Sequence, residues 1–301
     1  MNENAIIKSP YLIFDFSNIL YSIFFLDVQK GGLDGSENLI RHLCLNKILS
    51  IKNRLEASSK KIILCFDHKL NWRKSVFTYY KAHRAKMRAE SDLDFKKLFQ
   101  ISEDFYHELK SYFPFYTLRN EYIEADDWVA VLTKHFAEQS IPDNVVIIST
   151  DKDFYQLQKY KNVLYQYDHI NYNPMRIENP EKVLKVKVLC GDAGDGIPNV
   201  LSDDDTFVTE GKRQSRFGEK KAWQHVIDDD IDKFICENKL EINYKRNNRL
   251  INFDYIPKQI QDAILQKFVT YQVTKNVDQL AAYFNGKNME QMLNRTQEFF
   301  I

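Results

Sequence analysis

Four short runs of apolar and β-branched residues interrupt an otherwise polar chain: Tyr11 to Phe14, Lys61 to Phe66, Asn144 to Ser149 and Val163 to Tyr167. Each is nearly continuous rather than alternating, which suits a central strand of a parallel sheet buried on both faces. The intervals leave room for crossover helices, and helical patterns run over Leu39 to Leu55, Asp92 to Tyr112 and Glu124 to Phe136. The alternation predicts an α/β fold over 1–180. After Glu181 the strand pattern stops. Amphipathic segments near 181–190, 219–238, 257–271 and 278–298 predict a mostly helical second part over 181–301. With only nine glycines and seven prolines, no flexible linker separates the two parts, and they are expected to pack together. No apolar stretch approaches the roughly 20 residues of a membrane span. The first residues, Met1-Asn2-Glu3-Asn4, lack a secretory pattern, so a cytoplasmic location is expected.

Composition changes this picture little: 301 residues, 44% hydrophobic and 28% charged, describe a globular chain and exclude disorder. The four cysteines, Cys44, Cys65, Cys190 and Cys236, are not paired at metal-ligand spacing. Lys plus Arg and Asp plus Glu balance at 42 each, so net charge names no partner. Charge arrangement is more informative. Lys69, Arg73, Lys74, Lys81, Arg84, Lys86 and Arg88 form a cationic segment without an intervening acid. Lys212, Arg213, Arg216, Lys220 and Lys221 form a second, broken only by Glu219. One such run is ordinarily a solvated face; two of them flanking paired carboxylates suggest a polyanion.

The carboxylates recur at strand ends, where open α/β sheets bind ligands. Asp15 closes YLIFD, Asp67 closes IILCFD, and Asp151 follows VIIST, with Asp153 two residues on. Glu124, Asp126 and Asp127 open a helical pattern in EADDW, and Asp192 and Asp195 lie three apart in GDAGDG. A single Asp after a strand is ordinarily a turn former or helix cap. Repetition is harder to explain that way, because like charges crowded at one sheet edge repel unless a cation is present or some of them are protonated. Oxygen-only donors favour Mg²⁺ or Mn²⁺ over zinc. Phosphate-binding GxxxxGK, dinucleotide-binding GxGxxG and nucleophile-elbow GxSxG patterns are absent from the sequence.

These segments, in order YLIFDFSN, IILCFD, WRKSVFTYYKAHRAKMR, EADD, STDKDF and GDAGDGIPN, resemble the 5′-nuclease family of flap endonucleases and 5′-3′ exonucleases. The length, the YYKAHRAK segment and the insertion described below resemble the branch of RNase H enzymes from T-even bacteriophages. The resemblance runs from about Leu12 to Ile227 and implies a PIN-like parallel sheet flanked by helices. It further implies a helical arch over about 70–100 and a helix-hairpin-helix-type DNA-binding motif over about 186–228. It assigns Asp15, Asp67, Glu124, Asp126, Asp127 and Asp151 to a first divalent metal, directly or through water, and Asp153, Asp192 and Asp195 to a second. Adjacent helical residues point about 100° apart, which leaves open whether Asp126 or Asp127 binds directly.

By the same resemblance, Lys81 and Arg84 are the arch pair that clamps the scissile phosphate. Arg73, Lys74, Lys86 and Arg88 are expected to hold flanking phosphates, and Lys212, Arg213, Arg216, Lys220 and Lys221 the duplex backbone. Tyr79 and Tyr80 fit either base stacking or core packing. The chain departs from the family's usual form where Leu201 to Arg216 intervene before Phe217-Gly218-Glu219, within the segment that in some members surrounds potassium. The implied activity is hydrolysis of nicked, branched or 5′-ended DNA and of RNA in RNA–DNA hybrids, removing lagging-strand primers with two Mg²⁺, for which Mn²⁺ can substitute. Implied partners are single-strand-binding protein and a sliding clamp, with no membrane and a monomeric state. The Gln297-Glu298-Phe299-Phe300-Ile301 tail lacks the clamp-binding glutamine offset, so docking on the chain's own core is expected. The rival readings are a structure-specific DNA-binding protein without catalysis and a PIN-like single-strand ribonuclease.

Overall fold

The apolar runs pair with one another because every residue in them finds apolar cover on one face of a sheet or the other. The computed structural model describes residues 9–29, 37–91, 93–273 and 276–301, with backbone alone at 26–29. Strands β1 (Tyr11–Asp15), β2 (Ile62–Cys65), β3 (Tyr116–Leu118), β4 (Val145–Ile148), β5 (Val163–Asp168) and β6 (Asn173–Met175) form one sheet in the order β3-β2-β1-β4-β5-β6. The first five are parallel and β6 closes one edge antiparallel. Phe14 lies level with Leu64 on one side and Ile148 on the other. The chain moves outward from β1 to β3 and then returns to β1's other side with β4, so a crevice opens between the carboxyl ends of β1 and β4.

Alternate strand residues face opposite ways and build two cores. Leu12, Phe14, Leu64 and Ile148 face helices α1 (Phe16–Gln29), α2 (Glu37–Arg54) and, after α3 (Arg73–Val76) and α4 (Arg84–Ala89), α5 (Phe95–Tyr112). Ile13, Ile63, Cys65 and Ile147 face α6 (Ala125–Ala137). A third core under Phe217 and Phe234 joins α7 (Pro180–Cys190), α8 (Glu219–Ile227) and α9 (Ile231–Glu237), with α10 (Glu241–Ile251) packed on α7. The remaining helices return to the sheet. Helix α11 (Lys258–Val269) covers α6, while α12 (Val277–Gly286), α13 (Glu290–Leu293) and the turn at Thr296–Phe299 cover α5 and the core beneath it. Phe299 is fully buried with its ring 5.4 Å from that of Phe113, and the Ile301 carbonyl accepts the Ser59 amide at 3.1 Å. The tail thus docks on the chain's own core.

Several expected elements divide. The segment 219–238 breaks at Asp228-Asp229-Asp230, where Asp229 takes φ 53°, and 278–298 breaks after Gly286, where Asn288 takes φ 54°. Helix α5 starts at Phe95 because the Asp94 carboxylate caps the Lys97 amide at 2.9 Å; Asp92, where the helix was expected to start, lies outside the described residues. The arch region is helical only at Arg73–Val76 and Arg84–Ala89 among its described residues before α5. Leu201 to Arg216 form turns stapled at their base by Asn199, whose side chain donates to the Ser215 carbonyl at 2.8 Å, and by Ser202, whose hydroxyl accepts the Ser215 amide at 2.9 Å. Among the described residues no helix is long and apolar enough to cross a membrane.

Candidate metal centre and nucleic-acid interface

Asp15 ends β1, Asp67 and Asp151 lie just beyond β2 and β4, and α6 begins beside them with Asp126. Four carboxylates therefore meet at the crevice. Asp15 accepts the Asn18 amide and the Ser149 hydroxyl, each at 3.1 Å. Asp67 accepts the Ala125 amide at 2.8 Å, which ties β2 to the start of α6, and Asp151 accepts the Asp153 amide at 2.9 Å. The Asp126 side chain makes no hydrogen bond or ion pair within the described residues.

Among the described residues no ion pair reaches this group, although Lys81 acts on Asp67 and Asp126 from a distance, and Lys187 and Lys81 act on Asp151. Burial, reinforced by the Asp67 charge, pushes the Asp15 carboxyl up to about 8. Burial and then the charges of Asp151 and Asp15 raise Asp126 well above the usual carboxylate range. Asp151 is raised as well, by burial first, with Lys187 opposing and Asp195 and Asp192 reinforcing it. Asp67 rises with them although its side chain opens to solvent at the rim. Among the described residues, no three acidic, histidine or cysteine side chains are gathered closely enough to hold an ion as they stand. Crowded carboxylates that burial and mutual repulsion raise together are short of positive charge, and an all-oxygen donor set of this kind fits a hard divalent cation.

Behind Asp126 lies a closed layer of opposite character. Asp127 is fully buried, its Oδ2 accepting Trp72 Nε1 and the Glu124 amide at 3.1 Å each and its Oδ1 paired with Arg73 at 2.8 Å. Glu124 accepts Arg73 at 2.9 Å, Lys81 at 2.7 Å and the Tyr80 hydroxyl at 3.1 Å. Burial alone would raise Glu124, but Lys81 and Arg73 outweigh it and hold the carboxyl below its ordinary range. Three expectations are corrected here. Glu124, assigned to the first metal, is instead taken up by Arg73, Lys81 and Tyr80. Arg73, expected on a flanking phosphate, is only 3% exposed and spends its guanidinium on Glu124, Asp127 and the Leu250 carbonyl at 3.0 Å. Asp127, expected to reach the first metal, turns inward to Arg73 and Trp72, which leaves Asp126 as the residue of that pair facing the crevice.

The second group gathers where α7 meets the turn after β4. Gly191 takes φ 70°, and a Cβ there would lie 2.4 Å from the Ile197 carbonyl oxygen, so only glycine permits the turn. Asp192 and Ile197 then exchange two backbone hydrogen bonds of 2.7 Å, and Asp192 Oδ1 accepts the Asp195 amide at 3.1 Å. Asp195 accepts Arg84 and the Tyr80 hydroxyl, both at 2.7 Å, with Lys81 at 3.5 Å. Burial would raise its carboxyl; Lys81 and Arg84 reverse that and lower it. The Lys81 amide also donates to the Asp195 carbonyl at 2.8 Å, and Arg84 to the Gly194 carbonyl at 2.9 Å. The base of the arch is thus joined to the GDAGDG turn. Lys187, to which the sequence pattern gives no role, contacts Asp153 and, at 2.9 Å, Asp192. Tyr80 is buried and bonds two acids, so it is not a stacking platform, whereas Tyr79 is exposed. The only sequence hint of Lys187 is its place in the last helical turn before GDAGDG.

The outer cations differ in availability. Lys74, Arg213, Arg216 and Lys220 are exposed and make no ion pair within the described residues. Lys86 is exposed with a loose 3.8 Å pairing to Glu90, Lys221 lies 5.6 Å from the Phe217 ring, and Arg88 5.9 Å from that of Phe99. Lys212 departs from the expectation of a free duplex contact: Asp203, at 2.8 Å, and Asp205 hold it as a brace within the insertion.

Two family models match along the chain. Residues 10–186 match the 5′-3′ exonuclease, N-terminal resolvase-like domain, and residues 178–299 match the T4 RNase H C-terminal domain. Ribonuclease H of Enterobacteria phage T4 is 31% identical over 301 residues, covering 97% of this chain and 96% of that protein. The flap endonuclease Xni of Shewanella halifaxensis is 29% identical over 202 residues, covering 64% of this chain and 72% of its own. Among solved structures, zinc-bound 5′-exonuclease of bacteriophage T5 superposes with a TM-score of 0.63 at 20% identity, over 86% of this chain and 98% of that one. A complex of the T5 flap endonuclease with DNA and metal ions superposes equally well, at 0.63 and 20% identity over 86% of this chain and 97% of that one. At that identity the superpositions establish the shared fold.

Proposed function

The chain belongs to the 5′-3′ exonuclease family, and from that premise we propose that it cleaves phosphodiester bonds near 5′ ends with two Mg²⁺ ions, which Mn²⁺ can replace. Its substrates are nicked, flapped or 5′-ended duplex DNA and the RNA strand of RNA–DNA hybrids, and its task is primer removal during lagging-strand synthesis in an infected bacterial cytoplasm. The observation that carries the reading is the crevice at β1 and β4, where Asp15, Asp67, Asp126 and Asp151 share an opening and, among the described residues, none of them has an ion-pair partner.

Those four carboxylates would hold the first ion, and Asp153, Asp192 and Asp195 the second. Bound there, divalent ions would supply a water of lowered pKa and stabilise charge at the attacked phosphate. The chain's own residues do the rest. Arg73, Glu124, Asp127 and Trp72 fix the first turn of α6 so that Asp126 keeps its aim. Lys81 and Arg84, now bonded to Glu124 and Asp195, can exchange those oxygens for phosphate oxygens and so draw the scissile phosphate to the acids. Arg213, Arg216, Lys220 and Lys221 offer the duplex backbone four exposed charges, with Lys74 and Lys86 near the arch. Those duplex-facing cations favour this reading over a PIN-like single-strand ribonuclease, and the complete acid set favours it over a non-catalytic DNA-binding protein. Single-strand-binding protein is the proposed partner. Capture by a sliding clamp through Phe299 is disfavoured, because that ring is committed to the core.

The test follows a 5′-labelled flap on a nicked duplex with and without Mg²⁺, for the native chain and Asp151→Asn. Magnesium-dependent release of the label, lost in the variant, is expected. Tight, salt-sensitive binding with no cleavage under any divalent ion would sink the proposal.

A further inference from the structure

The two carboxylate groups meet the same electrostatic problem, yet among the described residues only one has its members joined by the ion pairs of a single cation. Lys187 extends from the last turn of α7, and its ammonium contacts Asp153, from the turn after β4, and Asp192 Oδ2 at 2.9 Å, from the GDAGDG turn. The three side chains are largely enclosed, 23%, 13% and 23% exposed for Lys187, Asp153 and Asp192. A lysine near a helix C-terminus is favoured by the helix dipole alone. The dipole would not, however, draw its ammonium onto two carboxylates from separate segments, which is the geometry of a counter-ion.

We propose that Lys187 is the resident counter-ion of the second carboxylate group and competes with the second divalent ion for Asp153 and Asp192. The inference rests on the two-ion reading above and adds that the sites are unequal by construction. An ion entering the first group meets acids that no ion pair holds among the described residues, with Lys81 and Lys187 acting on them only from a distance. An ion entering the second must break two enclosed ion pairs and leave the ammonium to find new partners. The second ion therefore binds more weakly than the first, and its occupancy sets how much divalent metal cleavage requires. In exchange, the metal-free chain keeps this part of the fold neutralised.

The experiment titrates the full-length chain, Lys187→Met, Lys187→Arg and Asp151→Asn with Mn²⁺, reading free Mn²⁺ by electron paramagnetic resonance, with Mg²⁺ calorimetry as a second readout. In the native chain two ions are expected, the second weaker. Lys187→Met is expected to tighten the second ion about tenfold or more, because each 1.4 kcal/mol of lost competition is a factor of ten. Lys187→Arg retains the charge and is expected to stay near native. Metal-free Lys187→Met is expected to melt below the native chain and to recover when Mn²⁺ is added. A lysine that merely braced α7 would lower melting without tightening the ion, so a second-ion affinity that is unchanged or weaker in Lys187→Met overturns the proposal. If Asp151→Asn loses no ion that the native chain binds, or no chain binds a second ion, the two-ion reading itself falls and the inference falls with it.

Discussion

The strand-end acids and the acids of the α7 turn are two answers to one problem. At the strand ends, Asp15, Asp126 and Asp151 are crowded with no ion-pair partner among the described residues, and burial with mutual repulsion raises all three carboxyls. At the α7 turn, Asp153, Asp192 and Asp195 are met by Lys187, Lys81 and Arg84. A parallel sheet sends its carboxyl ends to one edge and cannot interleave lysines there without blocking the crevice. A helix end and an arch supply side chains long enough to reach in, and these can later swing away. The contrast teaches that a cluster of acids states a need for charge, while the elements delivering the acids decide whether the chain or a ligand meets it.

The sharpest way to break the contrast is within α6. Asp126→Asn is expected to lower cleavage by about 10³-fold or more while leaving the fold intact, since several kcal/mol of metal-assisted stabilisation disappear. Single-turnover rates on a flap substrate measure this, and a loss under tenfold would count against Asp126 as the exposed member of the pair. Next in size is Arg73→Met, which strands Glu124 and Asp127 without their guanidinium. Breaking an enclosed network of this kind costs about 3–5 kcal/mol, read by urea unfolding at neutral pH. A change near zero would show Arg73 to be dispensable.

The raised Asp15 carboxyl makes a smaller prediction with a definite sign. The Asp15 carboxyl titrates near 8 in the folded chain and near 4 when unfolded. Between those values the folded state holds a proton that the unfolded state has released, so metal-free stability falls as pH rises through that window and levels off above it. The slope reaches at most about 1.4 kcal/mol per pH unit for one such group. Urea unfolding in chelator at pH 5, 6.5 and 8 should show this decline for the native chain and a shallower one for Asp15→Asn; equal slopes would refute it. Smallest are the surface cations. Arg213→Ala should reduce the salt dependence of duplex binding by about 0.9 in log–log slope, the yield of one phosphate contact, whereas Lys212→Ala, already neutralised by Asp203 and Asp205, should change it less.

How much of this was legible in the sequence depends on whether the information is local. Strands β1, β2, β4 and β5 are legible because their runs are nearly continuous in apolar and β-branched residues, and the acids that close or follow β1, β2 and β4 are legible as the next acidic residue along the chain. Strands β3 and β6 have three residues each, too few for a pattern. Helix α1 follows Asp15 without a polar break, and α10 carries three asparagines in an outwardly polar stretch. The roles of Arg73, Tyr80 and Lys187 are set by partners 51, 115 and five or more positions away, so no local pattern encodes them. Arg73 was grouped with its basic neighbours because a run of cations does not reveal which one turns inward beside Trp72.

Asp126 and Asp127 occupy successive positions of α6 yet serve opposite sides of it, one open to the crevice and one locked onto Arg73. A single codon gained or lost in the approach from β3 would rotate the helix start by about 100° and exchange their duties, aiming Asp127 outward and driving Asp126 against the guanidinium. The stretch between Leu201 and Arg216, anchored at its base by Asn199 and Ser202, has no such phase to keep. Evolution can therefore rebuild that stretch by changing its length. The approach to α6 is a reading frame in three dimensions, open to substitution and closed to insertion.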